Sequence, residues 1–103
     1  MDYIRHNYRT SDGSMTVDFL FYNLGLLKGW RIYIISNIDY GDKNISGHAT
    51  HRNHFPEDTY PSICWNKRIS TLEKARAVAS VWADVTALYI KGRGSFDAIA
   101  RQL

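Results

Sequence analysis

Three imidazoles fall within seven residues, at His48, His51 and His54. Histidine is the commonest zinc ligand and titrates near neutral pH, so this run is the first place to look for chemistry. Its spacing works against a metal. On a strand, His51 points away from His48 and His54, because successive side chains alternate. On a helix, residues three apart are neighbours, but Gly47, Asn53 and Pro56 disfavour a helix here. A loop wrapped around a metal would need Cys64 or His6 as a further ligand. A polar strand or loop edge is therefore expected, with no metal and no cofactor. Cys64, one of these histidines and Asp58 also make a nominal thiol, base and acid set. Cys64 lies between Ile63 and Trp65, where a cysteine ordinarily serves as a small buried apolar residue.

A second run, Lys91-Gly92-Arg93-Gly94-Ser95, has the ingredients of an anion site: two flexible glycines, two cations and a following helix start. The Gly-Lys-Ser/Thr order of a phosphate loop is missing, and no strand precedes it. The ordinary structural reading is a connection between helices, with Gly92 as C-cap and Ser95 opening the next helix. A third set mixes rings and cations: Tyr33, Tyr40, Arg52, Tyr60, Trp65, Lys67 and Arg68. On one sheet face it would make a stacking platform for single-stranded nucleic acid. The alternative is that Ile63 and Trp65 meet the helix at Trp82, while the tyrosines sit at the rim.

The elements that must position these residues follow from periodicity. Met15 to Leu24 alternates Met15, Val17, Phe19 and Phe21 against Thr16, Asp18, Leu20 and Tyr22, which favours a strand over a helix starting near Thr16. Gly25 to Gly29 makes a turn. Trp30 to Ile38 is rich in β-branched and aromatic residues on both faces and reads as a central strand. His48 to Phe55 is expected as a third strand, Pro56-Glu57-Asp58 as a turn, and Tyr60 to Asn66 as a short fourth strand. Ser70-Thr71-Leu72-Glu73 is a capping box. The helix it opens runs from about Thr71 to Lys91, with Leu72, Ala75, Val78, Ala79, Trp82, Val85 and Tyr89 on one face. If the sheet is too small to cover that stripe, Trp82 and Tyr89 would reach a dimer or partner interface. A short helix from Ser95 carries Phe96, Ile99 and Leu103 back to the core. Residues 1–14 read as an N-terminal arm closed by a Ser11-Asp12-Gly13-Ser14 turn. The fold class is therefore α+β: a three- or four-stranded antiparallel sheet packed against one long C-terminal helix, followed by a short final helix, in a single domain.

Composition bounds the rest. The chain has 103 residues, 45% of them hydrophobic and 14% aromatic, with a net charge of +3. That is enough apolar material for one core and argues against disorder. Lysine and arginine are dispersed rather than gathered in the stripe usual for nucleic-acid binders. The single cysteine rules out an intrachain disulfide and favours a reducing, cytoplasmic setting. The first ten residues lack an apolar core, and no apolar run reaches the length of a span, so neither a secretory signal nor a membrane partner is expected.

The stretches Tyr60-Pro-Ser-Ile-Cys-Trp65, Ile69-Ser-Thr-Leu-Glu73-Lys-Ala75, Val81-Trp82-Ala83-Asp84 and Tyr89-Ile90-Lys91-Gly92 resemble small proteins of phages and mobile elements of Gram-positive bacteria. The resemblance covers the C-terminal half. Some such phage proteins bind and inhibit host defence nucleases, so it implies a binding role, and it carries over no catalytic residue.

With no complete catalytic or cofactor motif, the expected function is a non-enzymatic module that binds a protein partner. His51, Arg52, His54, Tyr60 and Arg68 are the expected contacts, and a homodimer is allowed. The first rival is a nucleic-acid or nucleotide binder using Arg52, Lys67, Arg68, Lys91 and Arg93, of which Lys67, Lys91 and Arg93 are anion-binding candidates. The second is a small hydrolase, His- or metal-dependent, built on His48, His51 and His54.

Overall fold

A computed structural model describes residues 3–102. Leu103, placed against the core by its pattern, lies outside the described residues. The chain forms an α+β fold with one five-stranded antiparallel sheet, in the order β1-β2-β3-β5-β4. The strands are β1 (Tyr3–Arg9), β2 (Thr16–Asn23), β3 (Trp30–Ile34), β4 (Arg52–Asn53) and β5 (Ser62–Ile63). The helices are α1 (Gly47–Thr50), α2 (Leu72–Ile90) and α3 (Phe96–Ala100).

The alternation in β2 decides which face is buried. Val17, Phe19 and Phe21 are wholly buried, and each such side chain contributes about 1.5–3 kcal/mol through apolar burial. Ile32 and Ile34 of β3 continue this face, and Ala75, Val78, Ala79, Trp82, Val85 and Tyr89 of α2 cover it. The alternating partners Thr16, Asp18, Leu20 and Tyr22 fall on the opposite, uncovered face. Trp82 joins the layers. Its ring meets Phe19 edge-on at 6.1 Å and lies 6.5 Å from Phe96 of α3. Its indole N–H donates to the Thr50 carbonyl at 3.1 Å, which fastens the end of α1 to the helix.

The N-terminal segment, expected as an arm, is instead the fifth strand. It escapes a hydrophobicity pattern because its inward residues, Ile4, His6 and Tyr8, are mostly amphipathic, while Tyr3, Arg5, Asn7 and Arg9 face outward. His6 stacks on Phe21 at 5.3 Å. Tyr8 donates to Asp84 of α2 at 3.1 Å, and Ser11 reaches the same carboxylate through its N–H (2.8 Å) and hydroxyl (2.7 Å). Lys91 Nζ lies 2.8 Å from Asp12 Oδ2 in the β1–β2 turn. This hydrogen bond, with those from Ser14 and Thr10, holds the Asp12 carboxyl well below its ordinary range. Thr10 N–H donates to the Met15 carbonyl. By alternation, the amides of Ile4, His6 and Tyr8 then point toward β2, and those of Arg5, Asn7 and Arg9 lie on the free edge. Cations there discourage edge-to-edge pairing.

Two further expectations are corrected. The segment His48–Phe55 is not one strand. Ser46 caps α1 by accepting from the Ala49 N–H, and His51 ends that helix at φ 53°, leaving only Arg52–Asn53 as strand. The N-cap of α2 is Thr71 rather than Ser70, because Thr71 accepts from the Lys74 N–H at 3.1 Å. The rest of the helix reading stands, with Gly92 at φ +80° just past its end.

Two outcomes follow. Trp82→Ala is expected to cost about 3–5 kcal/mol in denaturant unfolding, and Trp82→Phe about 1–3 kcal/mol, because Phe fills space but leaves the Thr50 carbonyl without its donor. His6 titrates below its ordinary value of 6.5, first through burial and then through Arg76. The folded state thus resists protonation more than the unfolded chain does. Its contribution is complete above that value and declines as pH falls through it. A thermal melt series between about pH 7.5 and 5.5 should show stability falling with pH, and His6→Phe, which keeps the stack on Phe21, should flatten that slope.

Candidate functional site

The sheet has one face sealed by α2 and one face bare. At its β3–β5 end, the irregular segments Ile35–Ser46 and His54–Pro61 stand up beside the strands. They enclose a cleft of about 790 Å³, whose walls include Asn37, Asp39, Ile45, Arg52, His54 and Tyr60. A second, shallower groove of about 530 Å³ lies on the bare face itself, floored by Tyr3, Leu20 and Tyr33 and edged by Glu57, Asp58 and Tyr60. Tyr60 borders both, and it is 41% exposed.

The bare face is built from cross-strand rows. Tyr3 pairs with Tyr22, and their rings stack at 4.5 Å. Arg5 pairs with Leu20, which pairs with Tyr33. Asp18 accepts from Asn7 at 2.6 Å and lies 3.4 Å from Arg5, and these partners lower its carboxyl pKa. Asp58 accepts from the Tyr33 hydroxyl at 3.3 Å and lies 3.6 Å from Arg31, whose guanidinium sits 5.3 Å from the centre of the Phe55 ring. That triangle fixes the 54–60 segment, and Tyr60 with it, against β3. Below Asp58, the Asp58 N–H donates to the Phe55 carbonyl and closes the expected turn.

Of the five expected contact residues, the structure brings three to the large cleft: Arg52, His54 and Tyr60. Arg52 is heavily engaged there. Its guanidinium lies 4.9 Å from the Tyr40 ring centre and donates to Thr50 Oγ1 (2.8 Å) and the Ile45 carbonyl (2.9 Å). Tyr40 beneath it is 5% exposed, and burial raises its phenol pKa. Arg52 therefore positions the cleft wall, while His54 and Tyr60 are exposed and open to contact. His51 belongs to a different cleft, of about 400 Å³, shared with Cys64, Trp65, Trp82 and Phe96. Its ring stacks on Phe96 at 4.5 Å, and its Nε2 lies 2.8 Å from Asp97 Oδ1. Arg68 lies beside the β2–β3 turn, donating to the Leu26 carbonyl at 2.8 Å.

The other constellations separate. Among the described residues, no three His, Cys, Asp or Glu side chains group as metal ligands. Cys64 meets His51 through its backbone, with its N–H donating to the His51 carbonyl at 2.8 Å, and Asp58 is on the far side of the sheet. Cys64 is exposed rather than buried, and Trp65, at 47% exposure, does not join Ile63 in the core. Both depart from expectation because β5 ends at Ile63, and strand alternation with it. Lys67 precedes α2 while Lys91 and Arg93 follow it, so the helix length divides the anion candidates, and Lys91 is already paired with Asp12. Tyr40 and Arg52 lie on the helix side of the sheet and Tyr33 on the bare side, so the ring-and-cation set is not one platform.

Sequence reasoning missed Tyr3 and Leu20, and named Tyr33 only as part of the ring-and-cation set. For Leu20 the signal was present, since it alternates with the buried Phe19 and Phe21. Tyr3 was hidden by the reading of residues 1–14 as an arm. The chain matches no protein-family model, no curated protein and no solved structure.

Because Cys64 is exposed, it should react with a maleimide in the folded protein without denaturant. Cys64→Ser should change stability by no more than about 0.5 kcal/mol. Protection until unfolding would place the thiol inside the cleft.

Proposed function

We propose that this protein is a non-enzymatic binding module that engages a protein partner through the side of the sheet on which Tyr60 stands. The observation that carries this reading is the position of Tyr60, held between the cleft of about 790 Å³ and the groove of about 530 Å³. A half-exposed tyrosine flanked by concavities has the character of an interface anchor: a large ring of low conformational entropy with a polar tip. Tyr3, Leu20 and Tyr33 supply the apolar centre beside it, and His54, Glu57 and Arg5 supply a polar rim, the usual arrangement at protein interfaces. By its resemblance to small phage proteins, a host defence nuclease is the first partner class to test, with the protein as its inhibitor.

The test is affinity capture of the tagged protein from host lysate, with and without nuclease digestion. A stoichiometric protein that survives digestion and elutes unchanged at raised salt is expected. Tyr60→Ala should weaken its capture by about tenfold or more, while the thermal midpoint stays close to that of the parent because the ring is exposed. Capture abolished by nuclease, or steeply weakened by salt, would replace this reading with nucleic-acid binding. Equal capture by Tyr60→Ala would remove the surface assigned here.

A further inference from the structure

The β2–β3 turn carries the most exposed apolar side chains among the described residues, Leu26 at 94% and Leu27 at 93%. The turn is not loose. Leu24 N–H donates to the Gly29 carbonyl and Gly29 N–H to the Gly25 carbonyl, both at 2.8 Å. Trp30 N–H donates to the Ile69 carbonyl at 2.8 Å, and Arg68 holds the Leu26 carbonyl. Gly29 sits at φ +75°, where a Cβ would run into the Ile69 carbonyl oxygen, so the turn and the Lys67–Ile69 segment are locked together. Two leucines are thereby held outward, where they bury nothing of their own chain.

Behind them lies a concavity of about 190 Å³ at the base of the hairpin, lined among others by Lys28, Arg31, Lys67, Arg68, Trp30 and Trp65. Among the described residues, no carboxylate lines it. Arg31 is paired with Asp58, whereas Lys28, Lys67 and Arg68 make no ion pair among the described residues. From the tip inward the order is thus apolar, then cationic with indole rings. A lipid bilayer presents the complementary order, with anionic headgroups at the surface, an interfacial zone that favours Trp, and hydrocarbon beneath. Nucleic acid matches the cations but offers nothing to two outward leucines. We infer that the Leu26–Leu27 tip and its collar of Lys28, Lys67 and Arg68 form a docking surface for an anionic phospholipid membrane. The tip enters the headgroup boundary while the cations meet lipid phosphates. The composition-based expectation of no membrane partner rests on the lack of a span, and surface docking needs none. No helix of the described chain is long and apolar enough to cross a membrane.

The test is co-sedimentation of the full chain with vesicles of phosphatidylcholine, and of phosphatidylcholine mixed with phosphatidylserine, while following tryptophan emission. Binding to the anionic vesicles with a blue shift, and little binding to the neutral ones, is expected. The double variant Leu26→Ser/Leu27→Ser should bind about tenfold more weakly or worse. Lys28→Glu/Lys67→Glu should do the same and lose the salt dependence. All four sites are exposed, so circular dichroism and melting should match the parent. A parent that stays in the supernatant with anionic vesicles overturns the inference. So does a leucine variant that binds like the parent, which would mean charge adsorption alone. So does a parent that ignores vesicles but needs Leu26 and Leu27 to capture a protein, which would make the tip a plug for that protein's cleft. Because Tyr60 lies outside this surface, Tyr60→Ala should bind vesicles normally, which keeps the two proposals separable.

Discussion

The fold depends on what happens around the Trp82 indole. A 19-residue helix packed on a small sheet could slide or rotate if held by alanines and valines alone. One large ring, edge-on to Phe19 and beside Phe96, sets both the depth and the rotation of α2, while its N–H to the Thr50 carbonyl sets the position of the loop between β3 and β4. Such a buried donor has one good place to go, so it specifies geometry as well as adding stability. Asp84, about one turn past the middle of α2, then collects Tyr8 and Ser11 and pins the outer hairpin.

That arrangement makes the molecule asymmetric. Most aromatics on the helix side are used internally: Phe19 against Phe21 and Trp82, Trp82 against Phe96, Tyr40 against Tyr89 and His51 against Phe96, with Trp65 left exposed. The other side keeps its rings out of the core. Tyr3, Tyr22, Tyr33 and Tyr60 lie on or beside a sheet surface that no element covers, and the β2–β3 turn projects its leucines past the edge. The same sequence alternation produces both results, since each residue turned inward on β2 leaves its neighbour turned out.

Much of the fold was legible because its signals are local. The strand from Thr16, the central position of β3, the helix ending at Gly92 and the α3 start at Ser95 each rest on periodicity or a capping residue. What was not legible depends on partners distant in sequence. β1 pairs as a strand because β2 lies beside it and Asp84 is 76 residues away from Tyr8. His51 ends α1 in a left-handed conformation because its ring stacks on Phe96 and meets Asp97, neither of which its neighbours announce. The candidate site followed the same rule. Arg52, His54 and Tyr60 reach one cleft from β4 and the irregular segment that follows it, whereas His51 was drawn into a separate cleft by α3.

The central proposal is that Tyr60 and the bare sheet face beside it make the protein contact, and that the cleft around Trp82, His51 and Cys64 does not. Amide hydrogen exchange, compared between the free protein and its purified complex, tests this most directly. The account predicts new protection in β2, β3 and residues 54–61, with the amides of 64–66 and 96–100 unchanged. Protection confined to 64–66 and 96–100, around the His51 and Cys64 cleft, would contradict it and move the functional surface to the helix side.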